Sequence, residues 1–370
     1  MNFTLSDDQR MLVDTLDRFL GDRYSIELRR KVATTAPGHD PAIWTTLAEL
    51  GAIGALFTEE QGGFGGDPFD VTAVFEAAGR ALLAEPLLPA LLAGRVLAAA
   101  ASPQLELAIA GSAILAFAHD EPGEPDGEAP RVTRLRRADG DDGWVLHGRK
   151  TLVHAAEAAT SIVVSATGAD GRTALLLVPA DAPNLFLQGY ATHDGLRAAD
   201  VVLEGVPLDD VALLLAGDAA EAVLAHALHI GTLAICAEAL GIMETLIAMT
   251  RDYLATRQQF GAPIGRNQAL QHRMADLLIE AQQARSAVII AAAALTDGQD
   301  PARAVAAAKY TIGTAGESIG EEAIQMHGGI GMTEELALSH YAKRLILIDQ
   351  QLGDADLHLT RYIRARPVAA

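Results

Sequence analysis

The apolar residues of this 370-residue chain change period twice, and that double switch limits the fold more than any single motif does. Near the start, Ser6-Asp7-Asp8-Gln9 forms a capping box ahead of Leu12, Leu16, Phe19 and Leu20, the i, i+4, i+7, i+8 spacing of one helix face. Further helical stretches are expected from about Ile43 to Leu50, Phe69 to Leu83 and Leu87 to Ala100, with the glycine-rich segment 51–68 as a connector. From about Ile114 the apolar runs become short, often β-branched, and divided by Gly, Pro and Asp, which predicts antiparallel β-structure. Long Ala- and Leu-rich segments return from about Ala219, with Leu270, Met274, Leu277 and Leu278 on one helical face. The expected fold is mainly α with a central β-domain: a helical domain over 1–113, a β-domain over 114–213, and a bundle of long helices over 214–370.

Charge and cysteine content narrow the partners. The 28 Lys and Arg stand against 48 Asp and Glu, and a formal charge of −20 repels phosphate backbones and anionic membranes, so nucleic acid is not an expected partner. Cys236, the single cysteine, allows no intrachain disulfide, and the N-terminus lacks a basic-then-apolar secretory pattern; a cytoplasmic location is expected. The longest uncharged run, Ala222 to Ala237, is interrupted by His226, His229, Gly231 and Thr232, and no membrane span is expected. The acidic, Pro- and Gly-rich segment 120–130 reads as an exposed connector.

Two clusters carry chemical information. In Arg257-Gln258-Gln259-Phe260-Gly261-Ala262-Pro263-Ile264-Gly265, Arg257 and Phe260 read as i, i+3 neighbours on a helix end, a cation beside an aromatic face that suits a phosphate-bearing aromatic ligand. A plain Gly-then-Pro helix stop with a solvated Arg257 accounts for the same residues. In Gln325-Met326-His327-Gly328-Gly329-Ile330-Gly331-Met332, paired glycines let backbone approach a bulky ligand and turn free N–H groups toward oxygens. A glycine-rich C-cap between helices is the competing reading. Segment 143–151 imitates a phosphate-binding loop but places Arg149 where the lysine is required. His226 and His229 lack companion ligands for a metal, and Cys236 in an apolar run reads as an inert thiol.

The order helical, β, helical, together with the 257–265 cluster, Gln268 and the segment QMHGGIGMTEE at 325–335, resembles the acyl-CoA dehydrogenase family of flavoproteins. The resemblance extends to LSDDQRMLVDTLDRFL at 5–20 and ELGAIGALFTEEQGGFGG at 49–66. It implies a helical domain, a β-barrel-like domain and a C-terminal four-helix bundle, with FAD as cofactor. It also implies α,β-desaturation of an acyl-CoA thioester, in which a carboxylate takes the α-proton and a hydride leaves to the flavin. The family's FAD lies at a subunit interface, one subunit's β-domain contacting the ring and its neighbour reaching the ADP half. By this resemblance Arg257, Gln259, Phe260, Asn267, Gln268, Gln325, Gly328 and Gly329 form the donated, ADP-side half.

The remaining positions depart from the family pattern. The flavin-contacting Thr-Glu-Pro-Gly-x-Gly-Ser-Asp run is replaced by Ala118-His119-Asp120-Glu121-Pro122-Gly123-Glu124-Pro125, and the Trp-x-Thr beside the ring by Leu152-Val153-His154. Counted from Gly328-Gly329, the catalytic glutamate falls on Leu352, and the alternative site for that base falls on Gly231. No catalytic residue and no metal ligand is therefore expected. Half a site kept and half erased is the pattern of one member of a two-subunit enzyme, since a homo-oligomer needs both halves in each chain. The chain resembles the small, non-basic subunit of heteromeric members, such as those for pimeloyl-CoA or sterol side-chain thioesters, with HYAKRLILIDQQLGDADLHL at 340–359 nearest the pimeloyl-CoA branch. The implied partners are a catalytic acyl-CoA dehydrogenase subunit in an α2β2 assembly, an acyl-CoA substrate from lipid or steroid catabolism, and an electron-transfer flavoprotein. Two other readings stay open: a self-sufficient homo-oligomer with Asp354 as a displaced base, and a structural relative that binds no flavin.

Overall fold

A computed structural model describes residues 5–123, 131–138, 140 and 143–365. Six helices come first: α1 (Asp7–Arg23), α2 (Ile26–Thr34), α3 (Pro41–Glu49), α4 (Pro68–Arg80), α5 (Leu87–Ala99) and α6 (Gln104–Ile109). Strands β1 (Leu115–Ala118), β2 (Arg134–Arg137), β3 (Trp144–His154), β4 (Ser161–Thr167), β5 (Thr173–Pro179), β6 (Leu185–Ala191), β7 (Arg197–Leu208) and β8 (Leu213–Ala216) follow. Then come α7 (Gly217–Thr256), the short strands β9 (Gln258–Gln259) and β10 (Ala262–Pro263), α8 (Gln268–Asp297), α9 (Pro301–His327), α10 (Ala337–Gln350) and α11 (Ala355–Arg364). The chain is mainly helical around a central sheet, as its periodicity dictates.

The described residues divide into two compact units. One holds the segment up to Ile26, Asp67–Leu83 and the chain from Thr232 onward; the other holds Glu27–Gly66 and Ala84–Gly231. In the second unit the sheet runs β6-β7-β3-β2-β4-β5-β8, with β1 beside β4. Most neighbours are antiparallel, but both β1 and β2 run parallel to β4, Leu115 opposite Ser161 and Arg134 opposite Thr167. The expectation of a purely antiparallel sheet is corrected here: the segment between β1 and β4 carries the chain through β2 and β3 before it returns alongside. Leu146, Ile162, Val164, Leu176, Val178, Val201 and Val206 fill the sheet's core. Strand β6 lies within the stretch expected to be β, and β8 runs straight into the helix that follows it.

The first unit is built on close helix crossings. A Cβ on Gly79 of α4 would stand 2.0 Å from the Glu238 carbonyl oxygen of α7, and a Cβ on Gly241 would stand 2.1 Å from the Glu76 carbonyl oxygen. Glycine at both positions thus lets backbone lie directly on backbone. The last carbonyl of α4, on Arg80, accepts hydrogen bonds from the Tyr341 hydroxyl at 2.8 Å and the Thr245 hydroxyl at 3.3 Å. Around it Arg80 and Arg285 meet Asp17, Glu76 and Glu244 in a half-buried ion-pair network. Deeper in, Arg344 forms two hydrogen bonds with Glu238, at 2.7 and 2.8 Å, and also reaches Gln351 at 3.2 Å.

Sequence interruptions at His226, His229, Gly231 and Thr232 do not break α7, which runs for 40 residues. By length and composition alone α7 and α8 could each cross a membrane, but 89% of the apolar stretch of α7 is buried inside the protein, as a bundle's core helix requires. The Ser6–Gln9 capping box is present, with the Ser6 hydroxyl accepting from the Gln9 N–H at 3.1 Å and the Gln9 side chain accepting from the Ser6 N–H at 2.9 Å. Cys236 is fully buried, and burial pushes its thiol up to about 12, which makes it inert. Gly241→Ala is expected to lower unfolding free energy by about 1–3 kcal/mol or more through overpacking at the crossing; an unchanged midpoint in urea titration would contradict the backbone contact.

Candidate functional site

The first cluster is a hairpin rather than a helix end. Helix α7 stops at Thr256, and Gln259 pairs with Ala262 and Gln258 with Pro263 in the two-stranded ribbon of β9 and β10. At its tip Phe260 (φ +53°) and Gly261 (φ +83°) both have left-handed backbone, the signature of a tight two-residue turn. Arg257 and Phe260 are therefore not one helical turn apart, because Phe260 cannot continue a right-handed helix from this conformation. A bulky residue with positive φ is uncommon and costs about 1–3 kcal/mol. Here the strained residue holds its ring entirely in solvent, at 105% relative exposure. The base of the hairpin is braced: the Ile264 N–H donates to the Arg257 carbonyl at 2.9 Å, the Asn267 amide to the Ile264 carbonyl at 2.9 Å, and the Gln271 amide to the Gly265 carbonyl at 2.9 Å. Gln268 opens α8, and Arg257, Gln259, Asn267 and Gln268 are all exposed. Among the described residues Arg257 forms no ion pair, although the chain has acid in excess.

The second cluster ends α9. Gly328 takes φ +68° and ψ −148°, and a 3-10 turn follows over Gly328–Met332. Gln325, Gly328 and Gly329 are exposed. The glycines differ in what they need. A Cβ on Gly331 would stand 2.8 Å from the Ile324 carbonyl oxygen, so packing explains that glycine, whereas a Cβ on Gly328 or Gly329 meets nothing within 4 Å. Gly328 is required by its dihedral angle; Gly329 is required by nothing within this chain.

Two residues to which the sequence motifs assign no role bring the clusters together. Tyr253, one helical turn before Arg257, stacks on His327, with ring centroids 4.3 Å apart. Its hydroxyl donates to the His327 carbonyl at 3.3 Å. The sequence places each beside its cluster, Tyr253 four residues before Arg257 and His327 immediately before the glycine pair, but gives no sign that the two rings meet.

The segments matched to the flavin-ring side are occupied by internal contacts. At the end of β1 His119 Nδ1 lies 2.9 Å from the Ser165 hydroxyl, and Glu121 is ion-paired with Lys150 at 2.8 Å. The Lys150 ammonium also donates to the His119 carbonyl at 2.9 Å, while Glu121 accepts from the N–H groups of Val132 at 2.5 Å and Thr133 at 3.0 Å. Burial pushes the Glu121 carboxyl up, but hydrogen bonds from Lys150, Thr133 and Val132 outweigh it and hold the group at about 2. Burial brings Lys150 down to about 8 against the pull of Glu121, so both remain charged at neutral pH. Glu124 and Pro125 of the replaced run lie outside the described residues. Leu152 sits at an irregularity in β3 with φ +53°, exposed, its N–H donating to the Tyr190 hydroxyl at 3.2 Å.

No carboxylate stands at either position matched to a base. Leu352 has φ +59°, and its carbonyl accepts from His358 Nε2 at 3.0 Å. The neighbouring carbonyls of Asp349 and Gly353 accept from the Lys309 ammonium at 2.7 and 2.5 Å. Asp354 caps α11, accepting from the Leu357 N–H at 2.8 Å, so its carboxylate is committed to the helix end. Gly231 lies buried within α7.

The sequence matches the acyl-CoA dehydrogenase N-terminal domain over residues 6–120 and the C-terminal domain over 222–360. Acyl-CoA dehydrogenase FadE12 of Mycobacterium tuberculosis is 30% identical over 336 residues, covering 86% of this chain and 84% of that protein. The chain belongs to the acyl-CoA dehydrogenase family. Among solved structures, a variant of the Tcur3481-Tcur3483 steroid ACAD is 31% identical with a TM-score of 0.88 over 98% of each chain. The ChsE4-ChsE5 complex from Mycobacterium tuberculosis is 26% identical with a TM-score of 0.90 over the whole of both chains. Members of the acyl-CoA dehydrogenase family bind FAD.

In this acyl-CoA dehydrogenase relative the buried Glu121–Lys150 pair makes its own prediction. Lys150→Met strands a buried carboxylate and is expected to cost about 3–5 kcal/mol in urea unfolding, whereas the Lys150→Met/Glu121→Leu double variant should recover most of that loss. The Glu121 contribution is complete above pH 4.5, the ordinary carboxyl value, and is lost as pH falls through about 2. Equal stability of the two variants would show the pair to be energetically idle.

Proposed function

We propose that this chain is the non-basic subunit of a heteromeric acyl-CoA dehydrogenase and donates the ADP-side half of an FAD site to a catalytic partner subunit in an α2β2 assembly. One observation carries the reading: an exposed, strained, unneutralised cradle coexists with two base positions filled by Leu352 and Gly231. We divide the chain functionally into 1–113, 114–213 and 214–370 and place the cradle in the last part. The relation to a ChsE4-ChsE5 complex and to a two-component steroid enzyme supports a heteromer acting on a lipid or steroid acyl-CoA.

The cradle's residues fit the nucleotide end of the cofactor. Arg257 offers a guanidinium to a phosphate, Phe260 an apolar face to a ring, and Gln259, Asn267, Gln268 and Gln325 amide groups to ribose or adenine. At Gly328 and Gly329 the open space beyond each Cα admits a ligand against backbone. FAD supplies a hydride acceptor when bound. In the 118–123 and 152–154 segments no hydroxyl side chain and no Trp stand where the family pattern uses them, and the partner is assigned both, together with the base. An electron-transfer flavoprotein is assigned as acceptor on family resemblance alone. Asp354, bound to its helix end, does not support a self-sufficient enzyme.

Two measurements test the assignment. Co-expressed with a base-bearing acyl-CoA dehydrogenase subunit as candidate partner, the chain should form a complex holding one FAD per heterodimer, and Arg257→Ala should weaken FAD retention by about ten- to a hundredfold, the loss of a hydrogen bond to a charged group. A flavin-free complex would favour the purely structural alternative. Leu352→Glu in the isolated chain should yield no acyl-CoA oxidation, since the ring pocket is still missing; turnover by that variant would defeat the proposal.

A further inference from the structure

We propose that Tyr253 and His327 form a positioning pair that fixes the spacing between the Arg257–Phe260 hairpin and the Gly328–Gly329 turn, so that one dinucleotide can engage both; this rests on the reading that the cradle takes the ADP half of FAD. Tyr253 holds both partners at once. Its carbonyl accepts from the Arg257 N–H at 2.8 Å, which ties the hairpin's first residue to the last turn of α7. Its ring lies on the His327 imidazole at 25° between planes, and its hydroxyl reaches the carbonyl that immediately precedes Gly328. That carbonyl is one of the unsatisfied acceptors every helix C-terminus leaves, and a side chain from another helix meets it.

His327 is fixed as tightly. Its Nδ1 lies 2.8 Å from the Ala323 carbonyl, one helical turn back, so a proton on Nδ1 donates there and sets the tautomer. At 6% exposure the ring is buried; burial lowers its pKa, against the Ala323 bond, and the imidazole stays neutral against the tyrosine. Stacking adds an orientation that an aliphatic pair would lack. The hairpin and the turn flanking this pair are both exposed, and a Cβ on Gly261, Gly328 or Gly329 meets nothing within 4 Å. The pair therefore orders two loops with exposed tips, and Tyr253 and His327 act through those loops rather than on the ligand.

The experiment is a double-mutant cycle on FAD affinity of the heteromeric complex, read by equilibrium dialysis, with the thermal midpoint of the flavin-free complex measured for each variant. Tyr253→Leu should weaken FAD binding about tenfold, and Tyr253→Phe, which keeps the stack and loses only the hydroxyl, about threefold, so the conservative variant rescues most of the loss. In an Arg257→Ala background Tyr253→Leu should cost less than about threefold, because a device that aims Arg257 has nothing left to aim. Additive losses, or a weakening that tracks a lowered midpoint, would make Tyr253 a packing residue and overturn the proposal. If Arg257→Ala weakens binding while both Tyr253 variants bind normally, this inference alone fails. If Arg257→Ala also leaves affinity unchanged, the cradle reading fails and takes the inference with it.

Discussion

Where α4 crosses α7, backbone rests on backbone, and much of the first unit follows from that contact. The Glu238 carbonyl lies against Gly79, and the carboxylate of the same residue holds Arg344, which in turn reaches Gln351 at the edge of the Leu352 loop. Four residues beyond Gly241 the Thr245 hydroxyl meets the end of α4, and further along α7 stands Tyr253. One close crossing thus orients a helix whose far end carries the hairpin and whose middle anchors the loop matched to the missing base. A bulkier residue at either glycine would move both together, because packed helices shift as rigid bodies more readily than they bend.

Buried cations do opposite things in the two units. Lys150 neutralises Glu121 and pins the segment after β1 to β3, a fully charged pair with its remaining valences satisfied by backbone. Lys309 faces two carbonyl oxygens, and burial lowers its pKa, with Cys236, Asp349 and Asp354 pulling the other way. The first arrangement ties the segment after β1 to the backbone entering β2 and to β3. The second ties Gly353, in left-handed backbone like Leu352, to the Asp349 turn at the end of α10.

What the sequence made legible was local. The Ser6–Gln9 capping box reads directly because its partners are three residues apart. That Leu352 and Gly231 stand at the positions matched to a base is likewise a matter of counting along the chain, which needs no geometry. The hairpin was not legible, because Phe260 gives no sign in composition that it will accept a left-handed backbone, and the Gly-Ala-Pro that follows suits a helix stop as well. The parallel placement of β1 beside β4 depends on where the chain returns, not on either strand's residues. Glu121 and Lys150 are 29 apart in sequence, Tyr253 and His327 are 74 apart, and neither pairing follows from spacing. Helix α7 outran its apparent interruptions because tertiary burial overrides the small helix penalties of His, Thr and a single Gly.

Gly329 leaves one more consequence. A glycine in open space gives up conformational entropy on folding and returns no contact to its own chain, so a polypeptide judged only by its solitary stability would be improved by alanine there. Engineering the lone chain for heat resistance by filling such positions would therefore select against the very emptiness that the proposed cofactor cradle uses.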